Sequence, residues 1–182
     1  MYSQYRSILQ KVIAEMDTSN FDLALEMIVQ ALSSQTAIYI FGNGGSSANA
    51  SHFVVDWRKG VSEKLGFYPK VYSLTDNVPL LTAIANDIDY NVVFAEQLRN
   101  IGKPKDIALA ISGSGNSQNI INGIKMANSL EMQTISLTGF DGGQVGKLSK
   151  LNCLVDSTNI RVVEDIHASF GHSVVEAVVS EF

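Results

Sequence analysis

The stretch Ala37-Ile-Tyr-Ile-Phe-Gly-Asn-Gly-Gly-Ser-Ser47 decides how the chain is read. Five apolar residues run without a polar break to Gly42, which is the pattern of a strand buried on both faces of a parallel sheet. The glycines that follow let the backbone turn sharply and bring its amides close to a ligand. A helical pattern begins at Ser46, so this turn also presents a helix N-terminus to an anion. The dinucleotide fingerprint G-x-G-x-x-G fails at its third glycine, where Ser47 stands, and no Gly-Lys-Ser/Thr marks a P-loop.

Working outward, the same alternation recurs. Lys70–Leu74, Ile107–Ile111, Thr134–Leu137 and Leu151–Val155 read as strands. Ser46–Lys59, Val78–Ala85, Val92–Ile101, Ser117–Leu130 and the segment from Val162 to Phe182 read as helices. Strands alternating with helices predict an α/β protein with a doubly wound, mostly parallel five-stranded sheet flanked by helices. Ahead of them, Ile8, Leu9, Val12 and Met16, then Leu23, Leu25, Met27, Ile28 and Leu32, recur at helical spacing, with a break near Thr18–Asn20. These N-terminal helices, residues 1–33, lie outside the alternation and are available to pack on a partner subunit.

At 182 residues the chain is expected to form a single domain. Hydrophobic residues at 46% and charged residues at 17% exclude a disordered protein. A net charge of −5 argues against nucleic-acid or anionic-membrane binding. With no apolar run of membrane length and no leader-like N-terminus, the expected compartment is the cytoplasm. The lone Cys153 lies within an apolar run and is expected to be buried and structural.

Ligands of open parallel sheets collect at the carboxyl ends of strands. Besides the first glycine loop with Asn43, Gly44 and Ser46, such an end carries Ile111-Ser-Gly-Ser-Gly-Asn-Ser117. Ser112, Ser114 and Ser117 set three hydroxyls around a helix N-terminus, a phosphate site that needs no lysine. A helix cap alone would need only Ser117. A third strand end, Leu137-Thr-Gly-Phe-Asp-Gly-Gly143, is explained as a turn.

His52 and Asp56 are four apart and share a helix face. On the last helix Glu164 and Asp165 precede His172 by eight and seven residues; His167 lies further round and is read as structural. Imidazole and carboxylate ligands suit zinc or another divalent metal. The same groups suit general acid–base catalysis. Spacing alone does not separate the two uses.

Segments 41–53, 85–87, 111–117, 137–143 and 164–167, with His172, together resemble the sedoheptulose 7-phosphate isomerase (phosphoheptose isomerase) family of the SIS, or sugar isomerase, superfamily. The resemblance covers residue 5 to the C-terminus. It implies a SIS domain that interconverts a ketose and an aldose heptose 7-phosphate through an enediol, with Asp56 as base and His172 as acid. It further implies sugar-phosphate contacts from Asn43, Gly44, Ser46, Asp87, Ser112, Ser114, Ser117 and Glu164. A zinc or similar ion would be held by His52, Asp56, Glu164 and His172, in a homotetramer with sites between subunits. The family usually carries glutamate at position 56 and glutamine at 164, where this chain has Asp56 and Glu164. The alternative within the superfamily is a non-catalytic sugar-phosphate-binding or protein-interaction module, such as one that associates with a replication initiator.

Overall fold

The structure, a computed structural model, describes residues 1–181. Its helices and strands are α1 (Tyr2–Glu15), α2 (Ser19–Ser33), β1 (Ile38–Gly42), α3 (Gly45–Val55), α4 (Val61–Leu65), β2 (Val71–Ser73), α5 (Val78–Asp87), α6 (Val93–Ile101), β3 (Ile107–Ser112), α7 (Gln118–Ser129), β4 (Gln133–Gly139), α8 (Gly143–Leu148), β5 (Leu151–Val155) and α9 (Ile160–Glu181). A π-helical turn, Asp56–Gly60, joins α3 to α4, and a 3-10 turn, Tyr90–Val92, precedes α6. The five strands pair in the order β2-β1-β3-β4-β5, and every pairing is parallel. From β1 the chain leaves first toward β2 and later returns to β3. The sheet order therefore reverses between β1 and β3, and the crevice beyond their carboxyl ends is where such folds bind ligands.

The period-two alternation of the strands divides the core. Ile38, Ile40, Leu109, Ile111, Ile135 and Leu137 face one layer, where Ile28 and Leu32 of α2, Phe53 of α3 and Val163 and Val174 of α9 cover them. Tyr39, Phe41, Ala108 and Ala110 face the other, against Phe94 and Leu98 of α6 and Ile120 and Ile124 of α7. Each fully buried side chain of this size contributes roughly 1.5–3 kcal/mol of apolar transfer.

The structure departs from the sequence reading at α2, at the end of α3 and at α8. α2 belongs to the chain's own core, with Phe21, Ala24, Ile28 and Leu32 buried. α1 does not: Tyr5, Leu9, Val12 and Met16 lean on the core while Ile8 and Ile13 face solvent. The helix expected over 46–59 stops at Val55 and continues as the π-helical turn. There Trp57 is fully buried, stacks on Phe53 with ring centroids 5.0 Å apart, and donates Nε1–H to the Gly171 carbonyl of α9 at 2.8 Å. A π turn admits an extra residue, so Trp57 and Asp56 both reach α9. Finally, α8 occupies a segment whose six residues are too few for a periodic pattern.

Candidate active site

The β1 and β3 ends meet across a small pocket of about 100 Å³, lined by Asn43, Ser46, Ile111–Ser114 and Ser117. A water needs only about 10–15 Å³ of such space, so the pocket has room for a phosphate-sized group. Its polar lining is hydroxyl and amide. Within the loop, Ser112 Oγ accepts from Gly115 N at 3.2 Å and Ser114 Oγ from Asn116 N at 3.3 Å. Ser117 stands at the N-cap of α7, yet its side chain makes no capping bond. The serine that a simple cap would have used lines the pocket instead. Gly115 has φ +66°, and a Cβ there would lie 2.1 Å from the Gly142 carbonyl. The third strand end is thus a buttress: Gly139 N and Val145 N donate to the Gly113 and Gly115 carbonyls at 2.8 and 2.9 Å. Asp141 is used in that turn, accepting from Gly143 N at 3.1 Å.

The second feature joins α3 to α9. His52 Nε2 lies 3.0 Å from His172 Nε2, and Asp56 Oδ2 lies 3.3 Å from His52 Nε2 and 3.8 Å from His172 Nε2. Donors on a tetrahedral zinc at its usual bond lengths stand about 3.3 Å apart. The three separations, 3.0, 3.3 and 3.8 Å, bracket that edge, and the side chains are partly exposed. His52, Asp56 and His172 therefore fit a divalent ion of the zinc type. Glu164 does not join them among the described residues. It lies eight residues before His172, about 12 Å along the helix axis. Its Oε1 instead sits 3.6 Å from where a Gly45 Cβ would be, over the start of α3.

The packing that brings α9 to α3 depends on Gly171. A Cβ there would lie 1.9 Å from Cε1 of Phe53, whose ring is fully buried against Trp57. His172 is the next residue, so this contact sets how close the imidazole comes to Asp56.

The remaining predicted residues are placed as follows. Asp87 ends α5, is exposed, and accepts from Asn86 Nδ2 at 2.8 Å. His167 is buried, its Nε2 3.3 Å from the Thr138 carbonyl, and its Nδ1 has no partner among the described residues. Burial pushes its pKa down to about 4, against the weaker opposing effect of that backbone contact. Cys153 is buried as expected, and burial pushes its thiol up to about 12. The sequence reading missed Tyr90 and Asn119, which bond to Asn43. It also missed Tyr5, whose hydroxyl donates to Asp165 at 2.6 Å and ties α1 to the first turns of α9. Asn119 lies two residues past Ser117, the only signal that could have drawn attention to it.

An all-parallel sheet with a hydroxyl-lined pocket at its switch point and a histidine–carboxylate cluster beside it defines a class, and the SIS-domain family model matches residues 1–139. The phosphoheptose isomerase of Aliarcobacter butzleri is 33% identical over 177 residues, which are 97% of this chain and 93% of that protein. That of Chromohalobacter salexigens is 37% identical over 149 residues, 80% of this chain and 75% of that protein. The structure of the phosphoheptose isomerase of Neisseria gonorrhoeae superposes with a TM-score of 0.89 at 29% identity, covering 98% of this chain and 97% of that one. The chain belongs to the phosphoheptose isomerase family of SIS-domain proteins.

Proposed function

We infer that this protein is a sugar-phosphate isomerase interconverting sedoheptulose 7-phosphate and D-glycero-D-manno-heptose 7-phosphate. The observation that carries the reading is one helix serving both ends of such a substrate. Ser46 of α3 lines the phosphate-sized pocket, and His52 of the same helix stands in the titratable cluster. Six residues separate them, about 9 Å along the axis, a span that suits a sugar chain held at its phosphate end.

Binding energy at the phosphate then becomes positioning at the reacting carbons. Ser112, Ser114, Ser117 and the loop amides hold the phosphate. Asn43, Gly44, Asp87 and Glu164 meet the sugar oxygens. Both imidazole contacts of Asp56 use Oδ2, which leaves Oδ1 to take a proton from one carbon and return it to its neighbour through an enediol. His172 moves the accompanying proton on the oxygens. A divalent ion, zinc by the chemistry of its donors, would be held by His52, Asp56 and His172 and would supply carbonyl polarisation in place of the His172 proton.

The same reading carries a cytoplasmic homotetramer. Ile8 and Ile13 of α1 and Val78 and Leu80 of α5 are exposed apolar side chains available to further copies of the chain. Among the described residues no helix is long and apolar enough to cross a membrane.

A proton and phosphorus NMR time course with sedoheptulose 7-phosphate, with and without added zinc, tests the reading. Aldoheptose phosphate signals growing at a catalytic rate are expected, with turnover lost on chelation and restored by zinc. Asp56→Asn is expected to lower kcat by about 10²–10⁴-fold, the usual weight of a general base, while phosphate binding persists. Line broadening without turnover would replace the isomerase by a binding module.

A further inference from the structure

Asn43 is not free to turn. Its Oδ1 accepts from Asn119 Nδ2 at 2.8 Å and from the Tyr90 hydroxyl at 3.0 Å, and its Nδ2 donates to Asn119 Oδ1 at 2.9 Å. Asn119, in the first turn of α7, is only 2% exposed. Two carboxamides paired in this reciprocal way fit equally well with both groups turned over. One contact removes that symmetry. The backbone N–H of Ile120 donates to Asn119 Oδ1 at 3.0 Å, and a backbone N–H has no acceptor form, so the atom it faces is oxygen.

The consequence runs down the pair. Asn119 must offer its nitrogen to the other position, and the Asn43 atom there must be oxygen. Both lone-pair sites of that oxygen are then filled, one by Asn119 and one by Tyr90. Asn43 keeps one N–H unspent. Since Asn43 lines the pocket, a ligand meets it as a donor only.

We propose that Asn119 is a positioning residue that holds Asn43 as a hydrogen-bond donor toward substrate oxygens, with Tyr90 filling the second lone pair. This rests on the reading of Asn43 as a substrate contact. A polarity imposed by the backbone of α7 favours groups that only accept, a phosphate or carbonyl oxygen, over groups that must donate. The burial of Asn119 strengthens each bond in the relay.

A double-mutant cycle on kcat/KM tests it, with Asn43→Ala, Asn119→Leu and the pair, measured on sedoheptulose 7-phosphate alongside thermal melts. Each single variant is expected to lose about tenfold, the size of one hydrogen bond. In the Asn43→Ala background the Asn119→Leu change is expected to add less than about twofold, because the two act as a unit. Tyr90→Phe, which leaves the buried face of α7 intact, is expected to lose less and to vanish in the same background. It decides the matter if Asn119→Leu does not fold. Losses that add in both cycles would assign Asn119 and Tyr90 a structural role and overturn the proposal. A silent Asn119→Leu beside an impaired Asn43→Ala would overturn it too. A silent Asn43→Ala would instead remove the substrate contact on which it rests.

Discussion

At the end of β3 the phosphate-sized pocket takes most of its lining from one continuous run, Ile111–Ser117. Beyond β1 the histidine–carboxylate cluster takes His52 and Asp56 from α3 and its π-helical turn, and His172 from α9, 120 residues from His52. The first is held by backbone: the loop bonds to itself and to the Gly139–Val145 segment beside it. The second is held by packing, through the Phe53–Trp57 stack and the absence of a side chain at Gly171. Under the proposed function, binding and chemistry therefore have different vulnerabilities. A change in the core between α3 and α9 reaches the reacting end while leaving the anchoring end in place.

Gly171→Ala is the severest way to sharpen that contrast. The added methyl meets a buried ring that has nowhere to go, which costs about 1–3 kcal/mol of stability by overpacking. The displacement of His172 is expected to lower turnover about 100-fold, as a misplacement of roughly 1 Å can. Inorganic phosphate affinity, followed by calorimetry, should stay within twofold to threefold of the parent, about the scatter of a distant site. An equal loss of phosphate binding would break the comparison.

His167 supplies the next largest effect. Its folded-state pKa of about 4 lies below the ordinary value near 6.5, so the unfolded chain binds the proton first. Stability is then full above pH 6.5 and falls as pH drops through the interval toward 4. The gap amounts to about 3 kcal/mol at the acid end. Urea midpoints across that interval for the parent and for His167→Gln measure it, and the parent should fall more steeply. Parallel slopes would mean that the imidazole does not anchor α9 to β4 in its neutral form.

The smallest effect belongs to the local end. Ser117→Ala removes a hydroxyl that the helix does not use and is expected to raise KM about tenfold, as one bond to a charged group would, with kcat and melting temperature little changed. A drop in melting temperature without a change in KM would return Ser117 to the role of a helix cap.

What was legible in the sequence follows the same division. The apolar runs ending in glycine at 42 and in serine at 112 gave away both the parallel sheet and its ligand-binding edge, since a strand buried on both faces has no polar alternation to hide it. The hydroxyl loop was readable for the same reason: its pocket-lining serines and its turn lie within seven residues. The pairing of His52 with Asp56 was readable from helical spacing. Their meeting with His172 was suggested by the family resemblance, which also counted Glu164 as a fourth ligand. The structure sets Glu164 against Gly45 instead, because eight residues of helix carry it away from His172.

By itself, then, the sequence determined the order of the strands and main helices, the sheet class and the hydroxyl-bearing loop at a strand end, all of which depend on short-range periodicity and turn chemistry. Only the tertiary structure decided that Trp57 breaks α3 into a π turn to reach the Gly171 carbonyl. It likewise decided that Tyr5 clips α1 to α9 and that the backbone of α7 sets the polarity of Asn43 through Asn119. The links from Trp57 to Gly171, Tyr5 to Asp165 and Asn119 to Asn43 join residues 76 to 160 positions apart, separations over which neither periodicity nor propensity carries information. What places them is the close-packed interior, where one missing Cβ or one backbone N–H chooses among arrangements that the local sequence leaves equivalent.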